Sequence, residues 1–68
     1  MEFYLEEKVN VTKDCAYKGQ NVIIKEIHIS FNPVLYTCQA KNGKLIAVYE
    51  TEIQSMYQHD IKMLEIPH

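Results

Sequence analysis

Short apolar runs alternate with polar breaks along most of this chain, and within the runs the apolar positions recur at every second residue. That period belongs to strands with one buried face rather than to helices. The first run spans Leu5 to Thr12, where Leu5, Val9 and Val11 share a face and Glu7 breaks the alternation. Asn21–Ser30, Val34–Ala40 and Leu45–Tyr49 follow, and Glu50-Thr51-Glu52-Ile53 reads as a turn into a brief fifth strand anchored by Ile53. Lys13 to Gln20 is an irregular loop, in which Gly19 supplies a backbone angle that other residues adopt only at a cost.

The second run carries a conflict that predicts its shape. Val22, Ile23, Ile24, Ile27 and Ile29 make it dense in β-branched residues. Ile24 and Ile27 fall on opposite faces of a regular strand, so burying both requires a bulge near Lys25-Glu26. Such a bulge bends a strand until it can serve two sides of a small barrel. Phe31-Asn32-Pro33 ends the run, because Pro33 has no N–H to give to a ladder.

Lys41-Asn42-Gly43-Lys44 lies between two apolar runs, and Asn-Gly is the strongest short-range hairpin signal. Two registers are open. A two-residue type I′ turn sets Tyr36, Cys38 and Ala40 on the face of Leu45, Ala47 and Tyr49. A three-residue loop with a bulge at Gly43 sets Ile46 and Val48 there instead. Either way an apolar set is left on the outer face and needs covering.

The tail, 57–68, supports two readings. Ile61 and Met63 alternate against Lys62 and Leu64 as in a strand, while Ile61, Leu64 and Glu65 also suit a turn or two of helix. The expectation is an extra strand or coil over the leftover apolar face, supplied within the chain or by a second copy, which would make a homodimer. The predicted organisation is a barrel over 1–56 with this tail at 57–68.

Length sharpens the fold prediction. A chain of 68 residues is one domain close to the lower limit for folding unaided. Its core is worth only ~3–5 kcal/mol of net stability, so partners matter. No apolar run reaches the roughly 20 residues of a membrane helix, and Met1-Glu2-Phe3-Tyr4 does not open a signal peptide. A cytoplasmic protein without a membrane association is expected.

Charge bears on partners. The formal net charge is −2 and all 7 basic residues are lysines. Arginine supplies the bidentate forks that read phosphates and guanine edges, so its absence argues against sequence-specific nucleic-acid recognition. Cys15 and Cys38 are expected as free thiols, Cys38 as a small buried hydrophobe on a strand and Cys15 in a polar loop beside Asp14. Their spacing with His28, His59 and His68 matches no zinc finger, knuckle or ribbon, so no metal is expected.

Taken together, strand, long loop, Tyr17-Lys18-Gly19-Gln20, bent strand, Asn42-Gly43-Lys44 hairpin and Val48-Tyr49-Glu50 closing on Glu52-Ile53 resemble an SH3-like barrel. The likeness runs from Phe3 to about Met56 and is nearest to KOW-type and small prokaryotic or phage modules. It implies an all-β, five-stranded barrel. Two departures concern the KOW pattern. Val22 stands near a position that usually carries a second glycine, and Glu6-Glu7 replaces the common Gly-Asp entry. Fold likeness does not by itself confer function.

No catalytic set is legible, so the chain is not expected to be an enzyme and no cofactor is expected. Ser30 and Ser55 lack a nucleophile-elbow context, and two glycines are too few for a phosphate-cradling loop. Glu50 with Glu52 suits a solvated turn better than acid–base work, and the neighbours His59-Asp60 make a poor base and orienting group.

Aromatic residues are the better candidates. Tyr17, Phe31 and Tyr49 stand in or beside loops, and aromatics in such places line peptide grooves in SH3 domains. Tyr36 and Tyr49 can equally complete the core with their hydroxyls reaching water. Two readings follow. One is a protein-interaction module, such as a phage or mobile-element accessory protein, binding through Tyr17, Phe31 and Tyr49 with Glu50 and Glu52 as an acidic rim. The other is a KOW-like nucleic-acid or ribosome-associated module using Lys13, Lys18, Lys25 and Lys44. The missing arginine and the acidic balance favour a protein partner.

Overall fold

The computed structural model describes residues 2–56, and the expectations for 57–68 lie outside the described residues. The fold is all-β. Five antiparallel strands form one sheet in the order β4-β3-β2-β1-β5. They are β1 (Lys8–Val11), β2 (Asn21–His28), β3 (Leu35–Gln39), β4 (Leu45–Tyr49) and β5 (Ile53–Ser55). A 3-10 turn, Glu50–Glu52, joins the last two.

The predicted bulge is present in β2. Ile24 pairs with Cys38 and Glu26 with Thr37, leaving Lys25 as the extra residue. The face therefore changes phase, and Ile24 and Ile27 both turn inward, Ile24 fully buried and Ile27 packed at the margin of the core.

The hairpin takes the three-residue register. Gly43 N–H donates to Ala40 O (2.9 Å), and Ala40 N–H donates to Lys44 O (2.9 Å). Gly43 sits at φ +86°, in the left-handed region that glycine enters without a Cβ penalty. Asn42 Oδ1 accepts from Lys44 N–H at 3.0 Å and holds the tip. Tyr36 consequently faces Val48, and Cys38 faces Ile46.

All five strands contribute to a single core. Val9, Val11, Val22, Ile24, Tyr36, Cys38 and Val48 are essentially inaccessible, with Ile53 and Phe3 just behind. Burying each large aliphatic or aromatic side chain contributes about 1.5–3 kcal/mol. Phe3 meets the Tyr36 ring edge-on, with centroids 5.6 Å apart at 82°. Such pairs add somewhat to the area they bury.

Several expectations need correction. β1 begins at Lys8, not Leu5, because Tyr4–Glu7 makes a turn, with Glu7 N–H donating to Tyr4 O (3.1 Å). Glu6 N–H donates to Ile24 O (2.7 Å) and Ile24 N–H to Glu7 O (3.0 Å), so two entry residues oppose one of β2. Glu6 reaches this geometry at φ +68°, and Leu5 is turned out to 56% exposure. β2 stops at His28 rather than Ser30, and β3 starts one residue after Val34.

Two burial expectations also shift. Tyr36 is in the core, but its hydroxyl donates to Glu50 Oε2 at 2.6 Å rather than reaching water. Tyr49 lies on the outer face, since the hairpin register reserves the inner positions of β4 for Ile46 and Val48. Asn10 is buried, which period-two alternation does not anticipate. Its Nδ2 donates to Gly19 O (3.0 Å) and Asn21 Oδ1 (3.0 Å), tying the β1–β2 loop to the strands that flank it. Gly19, at φ +83°, closes that loop by donating to Val11 O at 2.8 Å.

Candidate interaction surface

On the outer face, cross-strand pairing lines up His28, Leu35 and Tyr49 from β2, β3 and β4. Phe31, in the loop after β2, sets its ring edge-on to His28, with centroids 6.4 Å apart. Tyr49 is 40% exposed and Phe31 46%, while His28 and Leu35 are half-buried between them. The order Phe31, His28, Leu35, Tyr49 thus makes an aromatic-rimmed apolar surface at one end of the sheet. His28 Nε2 lies 2.9 Å from Thr37 Oγ1 and 3.6 Å from a Glu26 carboxylate oxygen, which fixes its ring beneath Phe31.

Glu50 and Glu52 follow directly on Tyr49. Both carboxylates serve the fold. Glu52 Oε1 accepts from Tyr49 N–H at 2.8 Å, and Glu50 Oε2 accepts from the Tyr36 hydroxyl and from Glu2 N–H (3.0 Å). The Tyr36 hydroxyl bond first, then the Glu2 amide, holds the Glu50 carboxyl below its usual range. In return, burial and that same bond push the Tyr36 phenol up to about 12. Glu50 is therefore a charge tied to the inward-facing Tyr36, although in sequence it follows the outward-facing Tyr49.

Tyr17 stands apart from this group. It is half-buried against the core, and its hydroxyl accepts from Asn42 Nδ2 (3.4 Å) at the hairpin tip, the opposite end of β3 and β4 from Leu35 and Tyr49. The lysines divide in the same way. Lys13, Lys18 and Lys44 belong to the β1–β2 loop and the hairpin that meet through Tyr17 and Asn42. Lys25 sits on the β2 bulge, where its ammonium contacts both Glu6 oxygens (2.9 and 3.2 Å).

His28 and Leu35 escape a reading by residue type, because neither stands in a motif. The signal that could have found them is the phase change after Lys25, which turns His28 outward, together with the hairpin register that sets Leu35 opposite Tyr49.

Cys15 and Cys38 are free thiols, Cys38 buried and Cys15 half-buried against the core. Burial pushes the Cys38 thiol up to about 11. Among the described residues no cluster of His, Cys, Asp and Glu is placed to hold a metal ion, and no helix is long and apolar enough to cross a membrane. Comparison with family models, curated proteins and solved structures finds no match.

Proposed function

We propose that this chain is a non-enzymatic protein-interaction module on an SH3-like barrel. In support of the barrel stand a long first loop, a second strand bent at a bulge, a tight Asn-Gly hairpin and a short turn closing on a brief last strand. The observation that carries the function is the exposed pair Phe31 and Tyr49 flanking His28 and Leu35, with Glu50 and Glu52 following Tyr49 in the chain. Rigid aromatics lose little entropy when they are covered, and charge at the rim selects the partner's orientation. The partner in this reading is a protein segment with an apolar centre and a basic flank.

Affinity capture from a lysate of the source cells tests this, using wild-type protein and a Phe31→Ala/Tyr49→Ala double variant, each with and without nuclease. The expected result is a discrete protein that survives nuclease and is lost with the double variant. Recovery that depends on nucleic acid, or capture untouched by the two substitutions, would sink the reading.

A further inference from the structure

A second feature of the outer face lies away from the aromatic surface, toward the hairpin tip. It is an open cavity of about 280 Å³ lined by Lys8, Asn21, Ile23, Gln39, Ala40 and Lys41. Lys8, Ile23 and Gln39 form one cross-strand row of β1, β2 and β3, so the cavity floor is the sheet itself. Its lining is one-sided in charge: two lysines and two amide residues, with no carboxylate among the lining residues. Neither lysine makes an ion pair among the described residues, in contrast to Lys25.

The buried Asn10 adds a directional element. Its amide nitrogen donates to Asn21 Oδ1 at 3.0 Å, which commits that oxygen and leaves the Asn21 NH₂ as the free end. Gln39 donates its own nitrogen to Gly43 O at 3.3 Å, fixing it against the hairpin. The site thus offers two lysines, an oriented N–H donor and an aliphatic floor from the half-buried Ile23.

We propose that this cavity binds a small phosphate ester, with the phosphoryl group between Lys8 and Lys41 and the organic part over Ile23. Lysine ammoniums suit a phosphoryl group as point charges, whereas a planar carboxylate is better matched by the fork of an arginine, which this chain lacks. The apolar floor points to an ester rather than bare phosphate, because Ile23 would face the organic part. The cavity, at about 280 Å³, is just below the ~300 Å³ at which pockets for drug-sized ligands begin, which suits a small ester. The same chemistry could come from a free phosphate ester or from a phosphate in a nucleic-acid strand.

Proton–nitrogen NMR titration of the full chain, at low salt, separates these outcomes. The probes are inorganic phosphate, phenyl phosphate and oligothymidylate. Phenyl phosphate is expected to shift the amides of Asn21, Ile23, Gln39 and Lys41, and to bind about tenfold more tightly than phosphate. A Lys8→Ala/Lys41→Ala variant should lose about tenfold or more in affinity while its spectrum stays dispersed, because both lysines are exposed. Oligothymidylate displacing phenyl phosphate from the same residues would assign the phosphate to nucleic acid, and failure to displace it would assign it to a free ester. The proposal is overturned by no localised shifts up to roughly 10 mM phenyl phosphate. Equal binding of phosphate and phenyl phosphate, or affinity unchanged in the double variant, would overturn it too. Protein capture through Phe31 and Tyr49 is a separate readout, so either reading can fail without the other.

Discussion

The two faces of the β3–β4 hairpin carry similar residues and do different things. Tyr36, Cys38, Ile46 and Val48 face inward, while Leu35, Leu45, Ala47 and Tyr49 face outward. Each face holds a tyrosine and branched aliphatics, yet Tyr36 is fully buried and Tyr49 is 40% exposed. The difference is made at the tip, where one glycine at positive φ decides which set becomes core. What remains outside is then available for recognition.

The sharpest way to break this comparison is to truncate one tyrosine on each face. Tyr36→Ala should cost about 3–5 kcal/mol, as much as a domain of this size has to lose. Tyr49→Ala should stay within about 0.5 kcal/mol. Urea unfolding followed by circular dichroism checks both, and equal losses would mean the two faces are not distinct.

A gentler change probes the link from the core to the acidic rim. Tyr36→Phe removes a hydrogen bond to a charged group, worth about 1.5–3 kcal/mol. It should also alter the pH profile of stability. Glu50 titrates below 4.5 in the folded chain, so its contribution is present above that value and lost as pH falls through the lower, folded one. The Tyr36 phenol is raised from 10.0 to about 12, so its contribution is full below 10.0 and lost as pH climbs toward 12. Cys38, raised from 9.0 to about 11, behaves likewise. Urea midpoints across pH should therefore show Tyr36→Phe losing much of the acid dependence while the Cys38 part of the alkaline loss persists.

Smaller effects test the backbone devices that set the two faces. Gly43→Ala should destabilise by about 1 kcal/mol, because a Cβ at φ +86° is strained even though open space surrounds it. Glu6→Gly should act in the opposite direction. It relieves a glutamate held at φ +68° and sacrifices only an exposed pair with Lys25, for a net gain of a few tenths to ~1 kcal/mol. A loss in thermal midpoint would show that the Glu6–Lys25 contact outweighs the strain.

Much of the strand plan was legible because it rests on local patterns. Leu45–Tyr49 appears with its predicted bounds, and the bulge sits where Ile24 and Ile27 demanded one. Gly19 and Gly43 are both at positive φ, where loop and hairpin require it. The entry to β1 was misread because Leu5 fits the alternation, and nothing local reveals that a glutamate will adopt a left-handed conformation. The buried Asn10 was invisible for a related reason, since its partners Gly19 and Asn21 come from the far side of a loop.

The candidate surface was legible only in part. Phe31 and Tyr49 stand out by residue type, but their neighbours His28 and Leu35 are brought in by strand pairing. Tyr17 was equally conspicuous as an aromatic, yet the fold seats it at the other end, against Asn42. Composition names residues that could bind, and register decides which of them meet.

Lys25 has a consequence for how this chain can be compared with any other. Before it, even-numbered positions of β2 face inward, and after it odd-numbered ones do. One residue thus acts as a parity switch for everything downstream in the strand. Aligned without a gap against a relative lacking the bulge, residues 26–28 would each be assigned to the wrong side of the sheet. An alignment that leaves position 25 unmatched would restore Ile27 to the interior and His28 to the surface, so kinship to this protein should be sought with that single offset allowed.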